Sequence, residues 1–362
     1  MNDFFEIDFL DVEAAKSGDA ITLRYCKNDI QTIHVVDGGF KGSENGEGTG
    51  DKVIQHIQKY YGDKKINRVV VTHPDGDHAG GLRKVLETCD VDELWMLRPW
   101  NYANELIDRF ERLRSIERLE DRLKECYPNI AALEEIAVRK NIPIKEPFQG
   151  VKIGEFTVLA PTKERYLNLI EESEKTPEAK KTQENKTILS TAFESARHFI
   201  RAFWGDENLS SEPTSAENNM SIVQYAELNN TKIMLTGDAG REALEEARDY
   251  LRINLSVPLP GIDYFQVPHH GSRRNISSEL LDEICGKKLL SSQKGTYKFT
   301  AVISSAKEDK DHPRKAVLRA LMHRGAKVLT TEGASLRCSK GAPTREGWVS
   351  AKPVDYPEEQ ED

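Results

Sequence analysis

The chain has 362 residues, of which 38% are hydrophobic and 31% are charged. This length and composition exclude a disulfide-stapled miniprotein and indicate a globular protein with a substantial core and a charged surface. The net charge of −9 disfavours indiscriminate binding of a polyanion by the whole surface, but residues 264–330 carry 13 basic and 6 acidic side chains, so one face can still admit an anionic substrate.

Targeting and redox signals in the sequence are sparse. No stretch approaches the ~18 to 20 uninterrupted apolar residues of a membrane span. The acidic first 11 residues do not have the pattern of a secretory signal, so we expect a cytoplasmic protein with no membrane attachment. Five widely spaced cysteines form no CxxC pair, and we expect free, mostly buried thiols: Cys26, Cys89, Cys126, Cys285 and Cys338.

The first 71 residues predict strands separated by one helix. Apolar and polar residues alternate over 5–9 and 21–25, and an apolar run over 33–37 precedes a glycine-rich loop. Helical spacing predicts a helix over 51–61, with Asp51 as its cap and Gly62 at its end. The valines at 69–71 predict a buried strand, and functional loops commonly follow such strands.

Two charged, helical blocks interrupt the strand pattern, at about residues 100–142 and 163–215. We expect packed helices with a solvated face, which could also serve as a lid or as a docking surface for a protein partner. The charge-rich piece at 171–186 is expected to be partly mobile. Strand patterns return at 151–159, 221–227, 232–236, 263–267 and 300–304. We predict one α/β domain over residues 1–352 and a disordered acidic tail over 353–362.

The loop directly after the valine strand places two imidazoles and two carboxylates within six residues: His73, Asp75, Asp77 and His78. Such a cluster would repel itself unless a cation occupied it. The alternative is a solvated polar turn. The glycines at positions 76, 80 and 81 favour the cation site over this alternative, because they let the loop fold its side chains inward.

More potential ligands follow the later predicted strands. Asp238 ends a buried strand, although it could instead cap the helix that follows. His269 and His270 end the next strand, and His312 follows the last one. Because one loop can satisfy only part of a two-cation centre, these later residues are the ones that such a centre requires.

Together these motifs resemble the metallo-β-lactamase superfamily, whose pattern is HxHxDH followed by a His, an Asp and a His on later strands. Within that superfamily they are most similar to the hydrolase domain of ComEC-type competence proteins. The elements that carry the likeness are Gly-Asp-Ala at 18–20, Asp-Gly-Gly at 37–39, THPDGDHAGGL at 72–82, an Asn-x-x-Ser strand start with Asn218 or Asn219 and Ser221, LTGD at 235–238, HHGS at 269–272 and His-Pro at 312–313. The resemblance covers about residues 5–98, 151–162 and 218–330, and it implies a four-layer αββα sandwich with two helical insertions.

The resemblance also implies site residues and two divalent metal ions. The implied metal ligands are His73 and Asp75 for a first ion, Asp77, His78 and His270 for a second ion, and Asp238 as the bridge. The residues expected to act in catalysis are Asp77, Asp238, His269 as a proton donor, and His312, and the expected substrate contacts are Asn219, Arg273 and Arg314. Asp37 is expected to orient a ligand imidazole. Which of the two adjacent histidines binds metal stays open.

Two positions depart from the superfamily pattern. Asp75 stands where a second histidine is usual, and the region of Asn218 and Asn219 takes the place of the third histidine. Oxygen in place of imidazole makes the first metal site harder, which shifts the expected metal from zinc toward manganese, with zinc still open.

We therefore expect a metal-dependent hydrolase, in first place a phosphodiesterase or nuclease that uses hydroxide activated by two metal ions. Its expected substrate is single-stranded nucleic acid or a nucleotide, because a long duplex normally requires a wide basic surface. Two alternatives stay open: a hydrolase of a carboxylic ester, thioester or lactam on the same fold, and a noncatalytic metal-binding adaptor.

Overall fold

A computed structural model describes residues 3–13, 15–43, 47–62, 65–110, 113, 115–176 and 199–362. In chain order its strands are β1 (Phe4–Phe9), β2 (Ala20–Lys27), β3 (Ile30–Gly38), β4 (Lys65–Ile66), β5 (Arg68–Val70), β6 (Asp90–Val91), β7 (Leu94–Trp95), β8 (Ile144–Lys145), β9 (Lys152–Ile153), β10 (Phe156–Ala160), β11 (Phe199–Arg201), β12 (Val223–Glu227), β13 (Lys232–Leu235), β14 (Tyr264–Gln266), β15 (Phe299–Ile303), β16 (Ala326–Thr330), β17 (Leu336–Lys340) and β18 (Glu359–Glu361). Its α-helices are α1 (Thr49–His56), α2 (Gly76–Ala79), α3 (Leu82–Thr88), α4 (Ala103–Leu106), α5 (Ile116–Cys126), α6 (Pro128–Arg139), α7 (Lys163–Glu172), α8 (Ala216–Asn219), α9 (Arg241–Ile253), α10 (Ser278–Ile284) and α11 (Lys315–His323).

Two seven-stranded sheets form the centre of the fold. The first has the order β17-β1-β2-β3-β5-β7-β8, and the second has the order β16-β15-β14-β13-β12-β10-β9. Strands β3, β5, β7 and β8 run parallel to one another, as do β13, β14, β15 and β16. Parallel strands gather their carboxyl ends at one edge, so the loops that follow them can meet there.

The two sheets pack face to face with one hydrophobic core between them. Phe5 and Ile7 of the first sheet share a buried cluster with Phe156 and Ile233 of the second sheet. The rings of Phe5 and Tyr264 meet edge to face, with 6.1 Å between their centroids. Helices α1 and α3 pack against the first sheet, and α9 and α11 pack against the second. The layers are therefore helix, sheet, sheet and helix, which confirms the predicted αββα fold.

The helix predicted over 51–61 starts two residues earlier than expected. Its cap is Gly48, and the carboxylate of Asp51 lies inside the first turn, where it accepts the Gly48 N–H at 3.0 Å. The α-helical part ends at His56 and continues as a wider turn to Tyr61, where Gly62 stops it with a φ of 78°. Glycine suits this position because it adopts the left-handed conformation without strain, whereas a residue with a Cβ does not.

The first helical block is part of the core. It forms α4, α5 and α6, and its inward side chains, among them Leu119, Leu123, Ile130 and Leu133, are buried in the cluster that also holds the sheet residues. Helix α6 packs directly on α3, the helix that follows the loop with the candidate ligands.

The second block is helical only in its first part. Helix α7 ends at Glu172, and the predicted mobile piece at 171–186 falls mostly on residues 177–198, outside the described residues. After residue 198 the prediction of helix is wrong, because Phe199–Arg201 forms strand β11 and residues 202–215 are irregular.

The prediction of a disordered acidic tail is also wrong for the end of the chain. Strand β18 pairs with β11, and the side chains of Gln360 and Glu361 are buried. The carboxylate of Glu361 accepts the backbone N–H groups of Lys315 and Ala316 at 2.9 and 3.0 Å. A carboxylate at the start of a helix satisfies amides that have no partner within the helix, which gives this acidic segment a fixed position.

The cysteine prediction is confirmed, since all five thiols are free and only Cys126 is partly exposed. Among the helices of the described residues, none combines the length and the apolar composition that crossing a bilayer requires.

Candidate metal centre

The candidate ligands lie at the edge where parallel strands end. The loop of residues 73–78 follows β5, Asp238 follows β13, and the His269–His270 pair follows β14. The loop packs closely on the end of β3, since a Cβ added to Gly81 would come within 1.9 Å of the carbonyl oxygen of Gly38. The glycine pair in the motif thus permits the approach of two backbones.

Two imidazoles of the loop are held through their Nδ1 atoms. His78 donates its Nδ1 proton to Oδ2 of Asp37 at 2.8 Å, the contact that the resemblance predicts for this aspartate. The hydroxyl of Thr72 donates to the same oxygen at 2.6 Å, so its own oxygen accepts the Nδ1 proton of His73 at 3.0 Å. In the neutral form of either ring, Nε2 therefore carries the lone pair that can bind a metal ion. Both Nε2 atoms are buried without a hydrogen-bond partner among the described residues.

The adjacent histidines reach the same place through an unusual backbone. His269 and His270 have φ values of 48° and 54°. Such a conformation costs a non-glycine residue about 1 to 3 kcal/mol and is often found at functional sites. It directs both rings toward Asp238, with the Nε2 of each 3.8 Å from a different carboxylate oxygen. His270 donates its Nδ1 proton to the carbonyl oxygen of Ser304 at 2.9 Å, which leaves its Nε2 as the basic nitrogen.

Asp238 lies between two groups of ligand atoms. Its Oδ1 is 3.2 Å from Nε2 of His78 and 3.8 Å from Nε2 of His270. Oδ2 of Asp77 completes this group, 3.5 Å from the His270 nitrogen and 3.9 Å from the His78 nitrogen. The other oxygen of Asp238, Oδ2, is 3.7 Å from Nε2 of His73 and belongs to the second group.

The second group contains Asp75 and His269. Oδ2 of Asp75 is 3.8 Å from Nε2 of His73, and Nε2 of His269 is 3.8 Å from Oδ2 of Asp238. The Nδ1 of His269 lies 3.0 Å from the side-chain oxygen of Asn275. The Asn275 amide nitrogen already donates to two backbone carbonyls, so its oxygen is an acceptor for the His269 ring, and the amide nitrogen of Asn218 lies 3.1 Å from the same Nδ1. Nε2 of His269, on the other side of the ring, faces Asp238.

These distances fit divalent metal ions. Ligand atoms around one tetrahedral ion, each about 2.1 Å from it, lie roughly 3.4 Å apart. The ligand atoms of Asp77, His78, Asp238 and His270 lie within 4.8 Å of one another, and three of them, Nε2 of His78, Nε2 of His270 and Oδ1 of Asp238, are buried with no partner within the described part of the chain. Unpartnered buried polar atoms are costly unless something binds them, so the residues fit a metal ion.

The charges of the cluster also favour a bound metal ion. Burial alone would lower the pKa of His78, but the carboxylates of Asp238, Asp37 and Asp77 raise it well above its usual range. The pKa of His270 is likewise raised to about 9, against the effect of burial, chiefly by Asp238 and Asp77. The cluster therefore attracts positive charge, and a divalent cation would displace these protons. Burial dominates at His269 and lowers its pKa, so this ring favours the neutral form that binds metal.

The family model of the metallo-beta-lactamase superfamily matches residues 34–162, which include the loop with His73 to His78. Over these residues the chain is similar to that superfamily. A second similarity is to ComE operon protein 3 of Bacillus subtilis (strain 168), which is 28% identical over 119 residues. That match spans 33% of this chain and 13% of the relative.

Two solved structures are also similar to this chain. Unliganded yeast PDE1 has a TM-score of 0.42 and 12% identity, and the match covers 92% of this chain and 99% of that one. The hydrolase AbOPH of the beta lactamase superfamily has a TM-score of 0.29 and 9% identity, with 68% of this chain and 74% of that one covered.

His312, predicted on the substrate side of the candidate centre, lies beside the two histidines that follow β14. Its ring centroid is 5.4 Å from that of His269 and 6.0 Å from that of His270. Its Nδ1 is 3.4 Å from Oδ2 of Asp309, which also accepts the hydroxyl proton of Ser17 at 2.6 Å. These hydrogen bonds lower the pKa of Asp309, against the effect of burial.

Three predicted substrate contacts are engaged elsewhere. Asn219 accepts a hydrogen bond from Arg165 at 3.2 Å, whereas its neighbour Asn218 has its amide 3.1 Å from Nδ1 of His269. Arg273 donates to the backbone carbonyls of residues 208 and 362, and Arg314 pairs with Asp311 at 3.2 Å. The alternative that Asp238 is a helix cap is not observed, because Gly240 caps α9.

Sequence reasoning missed several residues around the candidate metal centre. Thr72 stands inside the conspicuous loop motif and could have been found there. Asp19, in the Gly-Asp-Ala element, is buried 3.7 Å from Nδ1 of His78 and is held by Gln266 at 2.9 Å. Lys175 contacts Asp75 from 100 residues away, and nothing in the sequence indicates this contact.

Proposed function

We propose that this protein is a metal-dependent phosphodiesterase that acts on single-stranded nucleic acid or on a nucleotide-like diester. The observation that carries the proposal is the division of ligand atoms between the two oxygens of Asp238. Two divalent ions side by side are suited to hold the attacking and leaving oxygens of a phosphodiester. The basic excess over residues 264–330 supports an anionic substrate.

Each proposed ion has its own set of ligands. His73, Asp75 and His269 would hold the first ion together with Oδ2 of Asp238. Asp77, His78 and His270 would hold the second ion together with Oδ1 of Asp238. Four imidazoles and three carboxylates suit zinc or manganese. This assignment makes His269 a ligand in place of the proton donor that the sequence suggests, since its lowered pKa favours the neutral ring.

Bound divalent ions would lower the pKa of a water molecule and withdraw charge from phosphoryl oxygens. The protein's own groups would do the rest. Asp37 and Thr72 hold His78 and His73 so that each presents Nε2. His312, held through Nδ1 by Asp309, would donate a proton to the leaving oxygen.

The test is hydrolysis by protein that has been stripped with a chelator and reloaded with manganese or zinc. Substrates would be bis-p-nitrophenyl phosphate, single-stranded and duplex DNA, a cyclic dinucleotide, and ester and lactam chromogens. We expect two metal equivalents and turnover of diesters. Asp238→Asn should lose both, whereas Asp92→Asn, an exposed carboxylate paired with Lys65, should lose neither.

His312→Gln separates proton donation from metal binding. The variant should keep both metal equivalents. It should lose most of its activity on diesters whose leaving oxygen must be protonated, such as DNA, and keep its activity on bis-p-nitrophenyl phosphate, because p-nitrophenolate leaves without a proton. Turnover of ester or lactam substrates alone would contradict the phosphodiesterase proposal. Two tightly bound ions with no turnover of any substrate would favour the adaptor alternative.

A further inference from the structure

The second helical block reaches the candidate centre through one side chain. Nζ of Lys175 lies 2.5 Å from Oδ1 of Asp75, and the other oxygen of Asp75, Oδ2, lies 3.8 Å from Nε2 of His73. The two oxygens of Asp75 thus face different partners, the ammonium on one side and the second group of ligand atoms on the other. The side chain of Asp75 is one-third exposed, so without the lysine it could turn toward water.

The turn that carries Lys175 is fixed on several sides. Its backbone N–H donates to the hydroxyl of Ser173 at 3.0 Å, and its carbonyl accepts the thiol of Cys126 at 2.8 Å. Ser173 is fully buried and donates its own hydroxyl proton to Glu217. The ring of Tyr127 lies 5.9 Å from the ammonium. The lysine is therefore held by both helical blocks and is unlike a surface lysine on a free stem.

The positive charge of the Lys175 ammonium offsets the negative charge that Asp75 adds to the centre. Asp75, Asp77 and Asp238 bring three carboxylates to the centre, and Lys175 places its ammonium 2.5 Å from the first of them. A carboxylate ligand that is hydrogen-bonded on its outer oxygen keeps its inner oxygen oriented, and loss of such a partner typically lowers metal affinity about 10- to 100-fold.

We propose that Lys175 is a positioning residue for the first metal position: it holds Oδ1 of Asp75 so that Oδ2 faces His73. The inference rests on the metal centre of the proposed function. It assigns to the second helical block a part in assembling that centre, beyond packing.

The test compares Lys175→Met with Lys175→Arg, and uses Lys163→Met as the matched control. Lys163 lies on α7 of the same block, where it pairs with Glu105 at 2.7 Å on the surface. Binding of manganese would be titrated by calorimetry and equivalents counted by elemental analysis. We expect Lys175→Met to weaken one of the two equivalents about 10- to 100-fold, and Lys175→Arg and Lys163→Met to keep both. In an Asp77→Ala background, which impairs the second position, Lys175→Met should weaken the remaining equivalent.

A double-mutant cycle guards against a general folding defect. With Asp75→His, whose neutral ring needs no ammonium, Lys175→Met should change manganese affinity little. Unchanged or tighter binding in Lys175→Met would overturn the inference, as would an equal loss in both backgrounds. If Lys175→Met weakened manganese binding as expected but the wild-type protein cleaved no diester, the proposed function would be contradicted and the inference about Lys175 would be supported. A wild-type protein that binds no metal would overturn both.

Discussion

At the residue scale, the centre depends on side chains that fix other side chains. Three of the four imidazoles that face the centre are anchored at Nδ1 by different acceptors: Thr72 for His73, Asp37 for His78, and the carbonyl of Ser304 for His270. These acceptors determine which nitrogen carries the proton, and hence which nitrogen is free to bind a metal. The ligands could not be oriented by the loop alone.

Asp37→Asn tests this dependence. The amide no longer offers a charged acceptor to Nδ1 of His78, so we expect the affinity for one metal equivalent to fall about 10- to 100-fold. Zinc and manganese affinities can be measured by competition with a fluorescent chelator. Asp92→Asn is the matched control and should bind both equivalents as the wild type does. If Asp37→Asn bound metal with wild-type affinity, Asp37 would have no orienting role.

At the scale of elements, the strand ends bring the ligands together, and the first helical block closes the core beside them. Helix α6 contributes Ile130, Leu133 and Ile136 to the buried cluster and packs on α3. The amide of Asn129 at its start donates to the carbonyl of Pro74 in the ligand loop at 3.1 Å. Removing this block would therefore expose the core as well as alter the surroundings of the site.

Leu133→Ala and Val138→Ala on α6 test that statement. Leu133 is fully buried, and its truncation leaves a cavity, so we expect a loss of about 2 to 5 kcal/mol in the free energy of unfolding. Val138 on the same helix is 66% exposed, and its truncation should change stability by less than about 0.5 kcal/mol. Urea denaturation followed by circular dichroism measures both. If the two variants lost the same free energy of unfolding, α6 would not be part of the hydrophobic core.

At the scale of the whole molecule, the end of the chain and residues 199–215 are tied to the second sheet. Glu207 is buried and accepts hydrogen bonds from His323 at 2.9 Å, Arg324 at 2.7 Å and Ser278 at 2.6 Å. Burial alone would raise the pKa of Glu207, but its partners, chiefly His323 and Arg324, lower it from 4.5 to about 2. This carboxylate thus joins three parts of the chain that are distant in sequence.

Stability should depend on the ionisation of Glu207. Since its pKa is lower in the folded state, the folded protein binds fewer protons, and the contribution is complete above about pH 4.5 and is lost as the pH falls toward 2. Glu207→Gln should cost roughly 3 kcal/mol at pH 7. The difference from the wild type should shrink on acidification. Glu283→Gln, which removes an exposed partner of Arg248, should cost less than about 1 kcal/mol. A pH-independent difference would contradict this account.

The sequence by itself determined the αββα fold and the residue types of the centre. Local periodicity and motif spacing are sufficient for this, because the parallel strands 232–236 and 263–267 end at the same edge of their sheet wherever the intervening chain runs. The packing of the two sheets then brings the end of strand 69–71, which belongs to the first sheet, to the same place. The charged blocks were less predictable. The same polar composition suits a helix, as in α7, or a strand that pairs with a distant partner, as in β11.

Only the tertiary structure decided how the centre is arranged in detail. The positive φ values of His269 and His270 direct both rings to Asp238. Two adjacent histidines in a sequence do not indicate such a backbone conformation. The tertiary structure likewise distinguished Asn218 from Asn219 and brought Lys175 to Asp75. These contacts join residues 50 to 100 positions apart, and they exist because packing of whole elements, and not local preference, sets the distance between their side chains.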